Sequence, residues 1–258
     1  YKGGAQGVIK FFEKEIPFLQ ANTDALVIDQ TNNPGGNLCL GSDVVSFFLK
    51  EPTVLPLFIV KPTRNRVNTY EREYTAYEYQ YNNSKEKTRA DRKKLAALRR
   101  FIGELHSALA EGKEFTHPFH LCNPLDRYNP YTNKEGNNIH YSKPVLILTD
   151  ETSCSMGDYF PAAMQDAGVA KLFGHRTAGC GGNVLGLSRL GYSDIGIRIT
   201  ESLMVRQRPG ALLRLEDQVI ENVGVQPDFP YDPSAQDFRN GYPQYRKAIV
   251  EAVLELIE

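Results

Sequence analysis

An α/β fold is predicted for this chain, and three observations predict it. Two short apolar runs, Leu26-Val27-Ile28 and Val145-Leu146-Ile147-Leu148, each lead into an acid and a turn, the pattern of buried strands. Each of those turns is followed by a segment with helical periodicity. Between the two units, at about 61–142, lies a stretch rich in charge and tyrosine that reads as a helical insertion.

Each element has its own warrant. Residues 8–21 put Val8, Phe11, Phe12, Ile16 and Leu19 near one face of a helix, with Pro17 weakening its last turn. The strand at 24–29 runs into Gln30-Thr31-Asn32-Asn33-Pro34-Gly35-Gly36-Asn37, a dense turn cluster. A helix resumes at 42–49, with Ser42 or Asp43 as its N-cap, and 57–60 offers another strand. In the insertion, Tyr70, Tyr74, Tyr77, Tyr79 and Tyr81 read as packing, not as a ligand box. Leu95, Leu98, Ile102, Leu105 and Leu109 mark a helix within 84–112, and the basic run 85–94 reads as its solvated face. Residues 115–141 are loop-like. From Pro144 the chain reads as strand 145–150, turn 151–157, helix 158–167 and strand 170–174. A glycine-rich turn at 177–184, short strands at 187–190, 195–200 and 202–206, and an amphipathic helix at 242–257 follow.

Composition excludes several classes. The 258 residues carry 30 basic and 31 acidic side chains, a net charge of −1, without the basic excess of a nucleic-acid surface. The longest apolar stretch, 54–60, is broken by Pro56 and falls far short of a membrane span. Four cysteines form neither a dense disulfide scaffold nor a CxxC pair and leave the redox compartment open. The opening Tyr1-Lys2-Gly3-Gly4 has no initiator Met and no signal segment, which reads as a processed or truncated polypeptide.

Two strand-to-helix junctions hold the candidate chemistry. At the first, Gly35-Gly36 lets backbone N–H groups converge on an oxyanion. At the second, Thr152-Ser153-Cys154-Ser155-Met156-Gly157-Asp158 places a serine at a sharp turn before a helix, where the dipole and free N–H groups favour a nucleophile. A serine there is commonly only a helix cap, and Ser153 and Cys154 are rivals for the role.

The combination resembles a known family. Residues 24–36, 144–150 with 155–168, 174–179, and Glu221-Asn222-Val223-Gly224-Val225-Gln226-Pro227-Asp228 are similar, in order, to the blocks of tail-specific, C-terminal-processing serine peptidases. The insertion is not covered. The branch of chlamydial protease-like activity factor is most similar, with tricorn protease more distant, because Cys180 stands where classical members carry a catalytic lysine. A Ser/Lys dyad is thereby excluded, and Cys180 reads as a small residue in a glycine turn.

The resemblance implies a fold like that of crotonase and Clp-protease subunits, twisted sheets with packed helices. It implies a serine endopeptidase in which Ser155 is the nucleophile and Glu221 orients a histidine. Met156 with Gly35 or Gly36 would supply the oxyanion hole. No metal or organic cofactor is called for. The chain would be the C-terminal catalytic domain of a secreted or periplasmic protein. Its partners would be protein or peptide substrates and its own N-terminal region or fragment, with a homodimer left open.

In that branch the histidine lies upstream of the glycine-turn strand, whereas the first histidine here is His106. His106, His117, His120, His140 and His175 read as structural, so the base is expected from an N-terminal part. His117-x-x-His120-x-Cys122 is a weak metal pattern. Two rivals stand beside the peptidase reading: a non-catalytic peptide-binding or scaffolding relative, and a crotonase-type acyl-CoA enzyme.

Overall fold

In the computed structural model, β1 (Leu26–Asp29) lies parallel to β3 (Val145–Thr149), with Leu26 opposite Val145 and Asp29 opposite Leu148. This register sets the two candidate junctions side by side at the carboxyl ends of neighbouring strands. The structure describes residues 4–123, 127–186, 190–207 and 218–258. The parallel sheet continues through β4 (Lys171–Gly174) to β8 (Phe229–Pro230), in the order β1-β3-β4-β8. Two antiparallel pairs stand apart from it: β2 (Leu57–Val60) with β7 (Ser202–Val205), and β5 (Val184–Gly186) with β6 (Arg198–Thr200).

Strand β3 is buried on both faces, which explains its unbroken apolar sequence. Alternation then divides its side chains. Val145 and Ile147 join Leu172 in the main core with Tyr159, Ala163 and Met164 of α5 (Met156–Asp166), Ile16 of α1 (Gly4–Asn22) and Val45 of α2 (Leu38–Val45). Leu146 and Leu148 face the other way, with Phe173, onto Ala252, Tyr245 and Ile249 of the terminal helix α7 (Pro243–Ile257). The α/β class expected from the two strand–turn–helix units is the one found.

The expected insertion contains two helices, α3 (Arg64–Asn83) and α4 (Arg89–Ala110), gathered with Val60 and Phe119 around Phe101 and Leu105. A capping box between Thr88 and Asp91 starts α4. The tyrosines pack and bond to acids: Tyr77 donates to Asp91 (2.6 Å), Tyr74 to Glu78 (2.7 Å) and Tyr70 to Glu201. The basic run is not purely solvated, since Lys94 lies 4.0 Å from the Tyr77 ring centroid.

Some boundaries differ. Helix α2 starts at Leu38, with Asn37 and not Ser42 or Asp43 as its cap; Asn37 Oδ1 accepts from the Leu40 N–H (3.1 Å). Asn caps as well as Ser, and Ser42 is instead buried, its hydroxyl bonding Leu38 O and Tyr159 Oη. Helix α1 passes Pro17 and ends where Thr23 bonds back to Leu19 O. Strand β8 and the short helix α6 (Ala235–Arg239) were not expected. The strand expected at 187–190 falls, apart from Leu190, outside the described residues.

Candidate active site

Ser155 occupies the turn between β3 and α5 with φ 60° and ψ −115°. That conformation normally belongs to glycine and costs other residues on the order of 1–3 kcal/mol. Backbone bonds on both sides hold it. Cys154 N–H donates to Asn33 O (2.9 Å), Gly157 N–H to Cys154 O (2.8 Å), and the Asp158 and Tyr159 N–H groups to Ser155 O (2.9 Å each). Ser155 is the N-cap of α5, yet its hydroxyl makes no capping bond. Among the described residues nothing else bonds that hydroxyl. It stands half-buried at the positive end of the helix dipole.

The glycine turn packs directly on this serine. A β-carbon on Gly35, where φ is +99°, would lie 2.7 Å from both Cys154 O and Ser155 Cβ, and 2.9 Å from Met156 N. One on Gly157 would lie 2.5 Å from Asn33 O. Gln30 Nε2 also donates to Gly157 O (3.0 Å). The two glycines therefore let the loops close to backbone contact. The Gly35 N–H is donated to Asn33 Oδ1 (3.0 Å). Within the described residues, the Met156 and Gly36 N–H groups have no hydrogen-bond partner.

Asp150 braces the turn from below. Its carboxylate accepts from the N–H groups of Asn32 (2.8 Å), Thr152 (3.1 Å) and Ser153 (2.9 Å) and from the Ser153 hydroxyl (2.9 Å). Burial alone would raise its pKa, but these bonds hold the group below the usual carboxylate range. Ser153 is fully buried, with its hydroxyl committed to Asp150.

Asp158, in the first turn of α5, is wholly buried. It accepts from Thr177 Oγ1 (2.5 Å), Gly179 N (2.8 Å) and Cys180 N (3.1 Å), pinning the loop after β4 to the helix. Burial pushes its carboxyl up, while the bonds it accepts pull the other way. The same loop reaches Glu221: Gly182 N–H donates to Oε2 (2.8 Å) and Thr200 Oγ1 to Oε1 (3.1 Å). Asn222 N–H closes onto Gly179 O (2.6 Å). Ser155, Gly35 and Met156 therefore come together directly, Gly36 follows Gly35 in the same turn, and Glu221 is tied to them through residues 177–182.

Cys180 is more than a small turn residue, as its sulfur is bonded to Cys154, next to Ser155. Spacing gave no hint of the pair, since 26 residues separate the two. The sulfurs and an Asp158 oxygen lie within 4.8 Å of one another, but joined sulfurs offer no thiolate to a metal. The His117/His120/Cys122 pattern is likewise no metal set, because Cys122 is bonded to Cys39 and His120 is buried edge-on against Tyr128. His106 pairs with Glu71 (2.8 Å), His117 approaches Glu104 (3.6 Å), and His175 approaches Asp232 (3.3 Å). None of the described histidines bonds Ser155 or Glu221.

A protein of Chlamydia trachomatis is 30% identical over 260 residues, covering 95% of this chain and 41% of the relative. One of Chlamydia pneumoniae is 28% identical over 256 residues, covering 95% and 39%. The crystal structure of mature CPAF superimposes with a TM-score of 0.76 at 29% identity, over 96% of this chain and 47% of that one. A structure from Parabacteroides merdae, at a TM-score of 0.56 and 18% identity over 91% of this chain and 53% of that one, shares the fold. The chain spans less than half the length of the chlamydial relatives it matches. The family model described as Peptidase family S41 matches residues 5–231, and the chain belongs to that family.

Proposed function

We propose that this chain is the C-terminal catalytic part of a serine endopeptidase acting on protein substrates. One observation carries the reading: Ser155 holds a glycine-type backbone conformation at a helix N-terminus, its hydroxyl uncommitted, against Gly35. Ser155 Oγ attacks the scissile carbonyl carbon, and its proton passes to a histidine supplied by an N-terminal part of the protein. The Met156 and Gly36 N–H groups stabilise the tetrahedral oxyanion, with Gly35 setting the approach of the two loops. Removal of one such donor typically costs about 100- to 1,000-fold in rate. Glu221 orients the histidine, which then protonates the leaving amine before water hydrolyses the acyl-enzyme.

The upstream base is supported by the histidine partners named above and by the greater length of the relatives. Two disulfides fit an oxidising compartment, secreted or periplasmic. No described helix is long and apolar enough to cross a membrane. Membership of family S41 sets aside the acyl-CoA reading. The non-catalytic peptide-binding reading keeps one observation in its favour, the lack of a histidine beside Ser155.

Residues 1–258 alone should fold but react with a fluorophosphonate and cleave peptide at least about 10⁴-fold more slowly than the protein with its N-terminal part. Activity rising when the N-terminal fragment is added in trans supports the split site. No labelling of Ser155 in either form favours the non-catalytic relative. Full activity of the isolated chain would place the base among His106, His117, His120, His140 and His175.

A further inference from the structure

We propose that the Cys154–Cys180 disulfide is a positioning cross-link that makes catalysis depend on the thiol–disulfide balance of the surroundings. The inference rests on the peptidase reading and deepens it. The bond joins the residue preceding Ser155 to the loop that supplies Glu221 with its Gly182 donor. Cys154 is also the meeting point of the oxyanion loops: its N–H bonds Asn33 O, and its own O accepts from Gly157 and abuts Gly35. A displacement of Cys154 therefore moves the nucleophile, the hole and the glutamate's support relative to one another.

Two features make the cross-link a switch and not merely a staple. Both cysteines are only half-buried, within reach of a small dithiol. The loop also has non-covalent ties that survive reduction. Ala178 N–H bonds Ser153 O (2.8 Å), and Asp158 holds Thr177, Gly179 and Cys180. Reduction should thus loosen the turn without unfolding the sheet.

The exchange balances. A dithiol's thiolate attacks one sulfur to form a mixed disulfide, and its second thiol closes that into the oxidised reductant. Two electrons and two protons end on Cys154 and Cys180. Unbonded sulfurs must then part from about 2 Å to van der Waals contact near roughly 3.5–4 Å. A misplacement of about 1 Å in an active site can cost about 100-fold in rate.

The test uses the full-length protein carrying Cys39→Ser and Cys122→Ser, so that a single disulfide responds. kcat and KM are measured across ratios of reduced to oxidised dithiothreitol, with free thiols counted by alkylation and intact mass. As the bond opens, kcat should fall about 10- to 100-fold, with KM changing less than about threefold and recovery on reoxidation. Hydrogen exchange should rise in 153–160 and 177–183 while β1 and β3 stay protected. The Cys154→Ala/Cys180→Ala variant should sit at the reduced level and ignore reductant. Unchanged kcat and exchange with both thiols free would overturn the proposal, and so would loss of protection in β1 and β3. Faster local exchange in a protein without peptidase activity at any ratio would support the cross-link's hold on the turn and overturn the peptidase reading instead.

Discussion

Gly35 and Ser155 touch so closely that a β-carbon on residue 35 would lie 2.7 Å from the Cβ of residue 155. The contact joins the turn after β1 to the turn after β3, and with them the two halves of the candidate site. Gly35→Ala combines a backbone clash with a φ of +99°. It should cost at least about 2 kcal/mol of stability by thermal melting and about 100-fold or more in peptidase rate.

Ser155 and Ser153 should separate cleanly. Ser155→Ala removes a hydroxyl with no partner among the described residues, so peptidase activity should vanish while the melting temperature holds or rises slightly. Ser153→Ala removes the bond to Asp150 (2.9 Å) and should lower stability by about 1 kcal/mol with activity largely kept. Activity lost in Ser153→Ala and retained in Ser155→Ala would put the nucleophile in the wrong register.

Glu221→Gln keeps an acceptor for Gly182 or Thr200 but loses the carboxylate charge that orients an imidazolium. Peptidase kcat should drop by on the order of 10³- to 10⁴-fold, the scale seen when a triad's acid is amidated, with the circular dichroism spectrum unchanged. A loss below about tenfold would remove Glu221 from the catalytic set.

Asp158→Ala strands three buried or half-buried donors, on Thr177, Gly179 and Cys180. Unfolding by urea should show a loss of about 2–4 kcal/mol. Asp158→Asn should lose less, because its remaining oxygen still accepts from Thr177 and Gly179.

Acid should weaken the fold through Asp150 and Asp228. Burial alone would raise both, but hydrogen bonds hold them below the ordinary carboxylate range: to Asp150 from Asn32, Thr152 and Ser153, to Asp228 from Gln165, Leu172 and Lys171. A folded pKa below the unfolded one stabilises above about pH 4, and that stability is lost as the pH falls through the folded value. The buried Asp158 acts in the opposite sense: its contribution is present below about pH 4 and lost as the pH rises through its raised value. Melting temperatures below about pH 4 should decline, and Asp150→Asn should flatten that decline.

Much of this protein was legible in one dimension. Apolar runs such as 145–149 predict buried strands because a strand covered on both faces needs no polar alternation. The order of blocks from 24 to 228 carries the family resemblance, and consecutive glycines next to a strand announce a close backbone approach. Those are local signals, written in residues adjacent along the chain. The Cys154–Cys180 bond, the Asp158 clasp on residues 177–180 and the support of Glu221 by Gly182 were not legible. Each joins residues 19 to 39 positions apart: the parallel packing of β3 beside β4 brings the first two sets within bonding distance, and the bonds of Asn222 and Val225 to Gly179 and Thr177 bring in the third. Sequence by itself determined strands β1, β2, β3 and β4, the turns after β1 and β3, and the serine that stands at one of them. Tertiary structure decided which cysteines meet and which N–H groups stay free beside that serine, because loop closure is settled by the register of the sheet and not by the composition of the loops it joins.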